Sequence, residues 1–165
     1  MGDTKSELLA TALQLFAAEG YENVGTQKIV EMAQVKKPTL YYHFGSKQGL
    51  LEAVLQSVYG PFLEALREKS VDDGDLTLTL ETLVNHYFAF AREQPAVYRW
   101  GLALGYAPEQ SDSCLTMRPF LAQQVQLLTQ VFEVAAAQHG NLRGRSHELG
   151  MSFLGMINAS ITRSF

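Results

Sequence analysis

Apolar residues recur at helical spacing along almost the whole of this chain of 165 residues, which leaves room for little but helices. Leu80, Leu83, Val84, Tyr87 and Phe88 trace one such stripe, and Leu50, Leu51, Val54, Leu55 and Val58 trace another. The one alternating run, "TLTL" at 77–80, leads straight into a helical stripe, so no strand is expected. The fold class is all-α. A first helix runs from about Thr4 to Glu19, burying Leu9, Leu13 and Phe16, with Gly20 as its stop. A short second helix starts at Thr26, an N-cap, and ends near Ala33; a third spans Lys37 to Phe44. A fourth opens at the N-cap Ser46. Gly60-Pro61 should bend or break it, because proline removes a backbone hydrogen bond and crowds the preceding turn. After the acidic loop Asp72-Asp73-Gly74-Asp75, helices follow at about 76–93, 95–106, 112–138 and 146–165. The chain divides into a small head, residues 1–45, and a helical body, residues 46–165.

The formal net charge is −4, so a nucleic-acid partner cannot be read from the total. Its distribution is more informative. Between Glu31 and Glu52 the only charged residues are Lys36, Lys37 and Lys47, with His43 among them. Cys114 is the single cysteine, so no internal disulfide forms, and no Cys/His spacing suits a metal. No cofactor motif and no nucleophile–base pair stands out, which argues against an enzyme. No apolar run is long enough for a membrane helix, and an N-terminus with Asp3 and Glu7 is no signal peptide. The expected location is the cytoplasm.

Helices of about eight residues are marginal alone, so the second and third must pack on the first. Around the third, Leu40 and Phe44 share one side; Pro38, Thr39, Tyr41 and Tyr42 occupy the other, flanked by Lys37 and His43. Lys28, Lys37 and Lys47 fall in first turns, where the helix dipole favours anions and a cation costs about 0.3–1 kcal/mol. Three such lysines in one unit point to a docked anion such as DNA phosphate. On that reading Lys47 mildly destabilises the free chain and is rewarded only on DNA. The tight turn at Ala33-Gln34-Val35 makes the three helices a helix-turn-helix, with the third placed for the major groove.

"TQKIVEMAQVKKPTLYYHFGSKQGLLEAVL" resembles the helix-turn-helix and following helix of the TetR (tetracycline-repressor-like) family of transcriptional regulators. The "TLYYHF.SK..LL" pattern carries the likeness, which covers about residues 4–58. It implies a dimeric repressor with a DNA-binding head and a body that binds a small-molecule effector. By the same likeness Thr26, His43 and Lys47 match phosphate-contacting positions. Gln27, Lys37, Pro38, Thr39 and Tyr41 match positions that approach bases, and Tyr42 an aromatic position at the backbone or groove. Gln34 stands where glycine is frequent, Lys36 where a Ser or Thr usually caps, and Gly49 where Glu is common. Family members usually carry a further helix after the segment at 148–165, which implies a final helix outside this sequence.

The body carries Tyr87, Phe88, Phe90, Tyr98, Trp100, Tyr106, Phe120 and Phe132, a set that serves equally as core or as the lining of an apolar effector site. Phe90, Trp100 and Phe120 are candidate lining residues, with His86, Arg99, Gln123 and Asn158 as the polar groups beside them. Dimerisation is expected to bury an apolar face of the 112–138 and 146–165 helices, including some of Leu121, Val125, Leu128, Phe153, Leu154 and Ile157. The rival reading is an all-α ligand-binding or scaffold protein without operator binding; salt-dependent binding to duplex DNA separates the two.

Overall fold

The computed structural model describes residues 4–71 and 74–164, and among these every regular element is helical. The elements are α1 (Thr4–Glu19), α2 (Thr26–Met32), α3 (Lys37–Phe44), α4 (Lys47–Lys69), α5 (Leu76–Glu93), α6 (Pro95–Gly105), α7 (Asp112–Gln138), a 3-10 turn (Gly140–Leu142) and α8 (Ser146–Thr162). Asp72, Asp73 and Phe165 lie outside the described residues.

The bounds match the sequence reading closely, but several details do not. Leu8, Ala12, Leu15 and Phe16 form the buried face of α1, while Leu9 and Leu13 are only half-buried. Two adjacent leucines made both faces plausible, and packing chose the one that carries the small Ala12. The N-cap of α2 is Gly25 rather than Thr26, and no side chain caps that end. At the other end the Val35 N–H donates to Val30 O (2.9 Å) and the Gln34 N–H to Glu31 O (3.1 Å). These two bonds form a Schellman stop, which requires a left-handed residue; Gln34 takes that role at φ +55°. Lys36 caps α3 through its backbone alone. Ser46 does cap α4, its Oγ accepting from the Gly49 N–H at 2.9 Å.

Helix α4 runs unbroken through Pro61, so of the two expected outcomes, a bend or a break, the break is absent. The chain nevertheless divides there into two compact units. The first takes in residues up to Gly60 together with Ala96–Arg118; the second takes in Pro61–Pro95 and residues from Pro119 onward. Each passage between units falls next to a proline.

In the first unit Leu8, Phe16, Ile29, Leu40 and Leu50 are wholly buried. The Phe16 ring meets Tyr21 edge-on at 5.3 Å and stacks on Trp100 at 6.0 Å, so α6 shares this core. In the second unit Phe62 lies 5.0 Å from the Tyr87 ring and 4.8 Å from that of Phe90. The buried Tyr87 hydroxyl is satisfied by Gln124 Oε1 at 3.1 Å. Gly150 lets α8 approach α7 closely, since a Cβ there would meet the Thr129 amide nitrogen at 3.0 Å.

Candidate nucleic-acid interface

Helix α3 is anchored from one side and open on the other. Leu40 is wholly buried, whereas Tyr41 and Tyr42 are 43% and 85% exposed. Lys37 and Pro38 are exposed as well, and Thr39 is half-buried. An exposed tyrosine pair on a short helix leaves apolar area in water, and such a patch suits a partner that offers flat faces and acceptor groups. Pro38 sits in the first turn, where its missing N–H leaves nothing unsatisfied. The half-buried His43 ring stands edge-on to Tyr42 at 5.1 Å, bracing the outermost tyrosine. Thr26, half-buried, and Gln27, exposed, occupy the first turn of α2. The Gln27 amide donates to Glu31 Oε1 (2.7 Å), a tie within the helix.

The three lysines part company. Lys37 has no hydrogen-bond or ion-pair partner among the described residues, as the charge argument requires. Lys28 is paired, its ammonium lying 2.6 Å from both Glu19 carboxylate oxygens. That bond ties α2 to α1, and as an exposed pair it contributes at most about 1 kcal/mol. Lys47 differs most from expectation. Its Nζ donates to the Tyr21 carbonyl at 2.7 Å and lies 4.1 Å above the centre of the Tyr21 ring. A hydrogen bond from a charged donor and a cation–π contact each outweigh or match a dipole penalty of about 0.3–1 kcal/mol. Lys47 therefore has partners in the free chain that the sequence did not indicate. Burial pulls the Lys47 pKa below its usual value, against the fields of Glu22 and Asp112.

Tyr21, Glu22, Asp112 and Ser113 were not singled out in the sequence. The Ser113 hydroxyl donates to Glu22 Oε1 at 2.9 Å, and Gln48 Nε2 reaches Thr116 Oγ1 at 3.4 Å. Burial first, then the neighbouring Asp112 and Glu22 carboxylates, push the Tyr21 hydroxyl up to about 12. Residues some ninety positions apart give no local signal, so only the fold could reveal this junction.

The seven expected ligand residues are shared between the two compact units. Arg99 is exposed and Trp100 buried, both in the first unit. In the second unit Phe90 and Phe120 are buried, Gln123 is exposed, and Asn158 is half-buried. His86 is already engaged, stacked 4.6 Å from the Phe62 ring with Nε2 3.0 Å from the Phe62 carbonyl. The second unit carries a groove of about 510 Å³ bounded by Ala122, Val125, Gln126, Thr129, Gln130, Glu133 and His147. None of the seven lines it, or the two other concavities described on this unit. No helix among the described residues is long and apolar enough to cross a membrane.

Residues 8–54 match the family model for bacterial regulatory proteins of the tetR family. The chain is 27% identical to the HTH-type transcriptional activator FasR of Mycolicibacterium smegmatis, over 96% of its own length and 69% of that protein. It is 31% identical to the HTH-type transcriptional repressor NicS of Pseudomonas putida, over 49% of its own length and 38% of that protein. Its fold matches the fatty acid degradation regulator FadR from Bacillus halodurans with a TM-score of 0.80 at 20% identity, over 99% of this chain and 84% of that one. With the helix-turn-helix in place, its third helix open on one side and every regular element among the described residues helical, residues 8–54 carry the helix-turn-helix of the tetR family of bacterial regulatory proteins.

Proposed function

We propose that this regulator is a repressor, that it binds a near-palindromic operator as a homodimer, and that a largely apolar small molecule releases it. The observation that carries the DNA-binding part is α3. Its inner side is fixed by Leu40, and its outer side presents Lys37, Pro38, Thr39, Tyr41 and Tyr42. In this reading Lys37, Thr39 and Tyr41 face base edges, with Gln27 and Pro38 beside them. Thr26, His43 and Lys47 meet phosphates, and Tyr42 packs at the sugar-phosphate edge. Residues 1–45 then act as the DNA-reading head and residues 46–165 as the effector and dimer body. Phosphate contacts supply affinity for any duplex, while the few base-facing groups supply the difference between sequences.

The effector acts by binding one arrangement of the dimer better than the other. Gly60-Pro61, where α4 passes between the two compact units, is the proposed place at which movement is absorbed. The reading also makes the chain a cytoplasmic protein without catalytic activity. The relatives include both an activator and a repressor by name, so the direction of regulation rests on the proposed release mechanism. Selection of bound duplexes from random DNA tests the whole reading. Recovery of a two-fold symmetric sequence, bound more weakly as salt rises, supports it; a chain that enriches no duplex overturns it.

A further inference from the structure

Lys47 stands where two claims on one ammonium meet. Inside the first unit, its Nζ is held by the Tyr21 carbonyl at 2.7 Å and by the face of the Tyr21 ring at 4.1 Å. Glu22 follows Tyr21 directly and is itself gripped by the Ser113 hydroxyl at 2.9 Å. The fields of Glu22 and Asp112 favour the ammonium there, against the burial that disfavours it, and Asp112 also acts on the Tyr21 hydroxyl. Gln48, the next residue of α4, reaches Thr116. The first turn of α7 is thus joined by side chains to the α1–α2 turn and to the start of α4. Outside, the same ammonium belongs to the first turn of α4, the position proposed above for a DNA phosphate. A carbonyl in the field of two carboxylates imitates, from within the protein, what a phosphate offers from without.

We propose that Tyr21, Glu22 and Asp112 form an internal ammonium site that competes with DNA phosphate for Lys47. The first turn of α7 is thereby a brake on the DNA-binding face. While Lys47 remains inside, it neutralises no phosphate and releases no counterion, so it adds nothing to salt-dependent affinity. Weakening the internal site frees it to do both. Asp112 and Ser113 open α7, and α7 continues past Arg118 into the second unit, so the strength of the brake is set by a helix that both units share. This inference rests on the DNA-binding reading.

The test compares the parent, Glu22→Gln/Asp112→Asn, Lys47→Met, and all three changes together, each titrated with a mixed-sequence duplex at several salt concentrations. Glutamine and asparagine keep the shape and the acceptor oxygens but remove the charges. The double variant should bind about three- to ten-fold more tightly than the parent, with a salt slope steeper by up to about one. With Lys47→Met in place, the same two changes should leave the slope unmoved and recover little of the gain. In the absence of DNA, Lys47→Met should melt below the parent, because it vacates the internal site. A double variant no tighter than a DNA-binding parent overturns the competition alone, as does a gain that persists undiminished without Lys47. A Lys47→Met chain that melts with the parent overturns the internal site whether or not any duplex binds. A parent that binds no duplex overturns the competition together with the DNA-binding reading.

Discussion

Gln34 holds a left-handed backbone at φ +55° because the stop of α2 demands it, and its side chain makes that conformation unfavourable. Gln34→Gly should therefore stabilise the chain by about 0.5–1 kcal/mol, the relief of Cβ crowding less the greater freedom of glycine when unfolded. Denaturant melts of the two proteins check it; a destabilised variant would mean that the glutamine side chain contributes packing of its own. His86 makes a second prediction at this scale. Burial lowers its pKa, the Phe62 carbonyl resists that shift by accepting from Nε2, and Lys69 adds to the lowering. The folded chain thus binds a proton less readily than the unfolded one. Below the unfolded value of about 6.5 the unfolded state gains protons that the folded state resists, so stability should fall as pH drops through that value. His86→Gln cannot take up the proton. Its melting temperature should consequently decline less between about pH 7.5 and pH 5.5 than that of the parent.

Helices were legible in the sequence because capping and stop signals are local. Gly20, Ser46 and Asp75 act where their residue types suggest, the Asp75 side chain accepting from the Leu78 N–H at 3.0 Å. What failed depended on contacts outside the helix concerned. The buried face of α1 was settled by its neighbours, and the continuity of α4 through Pro61 shows that one lost bond does not break a helix of 23 residues. Gly49 illustrates the same point. In the sequence it stands where Glu is common, but a Cβ there would stand 2.1 Å from the Phe44 carbonyl oxygen. Glycine is needed for the close turn from α3 into α4. Gly49→Ala should therefore cost about 1–3 kcal/mol, although alanine in an open helix would gain about 1 kcal/mol. Thermal melts decide the sign. For α3 itself, Lys37→Ala and Thr39→Ala should each relax preference at particular base pairs by about 1–3 kcal/mol. His43→Ala should weaken all duplexes more evenly, by removing the proposed phosphate contact and the ring that stands edge-on to Tyr42. Binding measured across a panel of single-base operator variants separates these patterns, and uniform losses from all three would reduce α3 to a backbone contact.

For the whole molecule, a single helix-turn-helix reads too few base pairs to find one site in a genome, and a two-fold dimer doubles the reading. Of the six residues from which the dimer face is expected to draw, Leu121, Val125 and Phe153 are half-buried. Leu128, Leu154 and Ile157 are already buried within the chain, at 0%, 8% and 4% exposure, and have nothing left to give a partner. Periodicity could not separate them from residues facing outward, because α7 and α8 pack on each other through apolar stripes of their own. What α8 leaves open is a different stripe, Met151, Ser152, Gly155, Met156 and Ala159, with Met151 49% and Met156 62% exposed. Small residues flanked by two flexible methionines make a face that a second copy of the same helix can approach closely. Met156→Glu would place a charge on each side of such an interface, near its own symmetry mate, where burial makes repulsion costly. Because the site is exposed in the single chain, the change should leave the fold intact and act on association alone. Sedimentation should give a dimer for the parent and a monomer for Met156→Glu at the same concentration, with helical content unchanged by circular dichroism. On DNA, the variant should bind a palindromic operator no better than one half-site, whereas the parent prefers the full site by a large factor. A variant that remains dimeric would place the interface elsewhere on the chain, and a parent that binds single half-sites with full affinity would remove the dimeric reading itself.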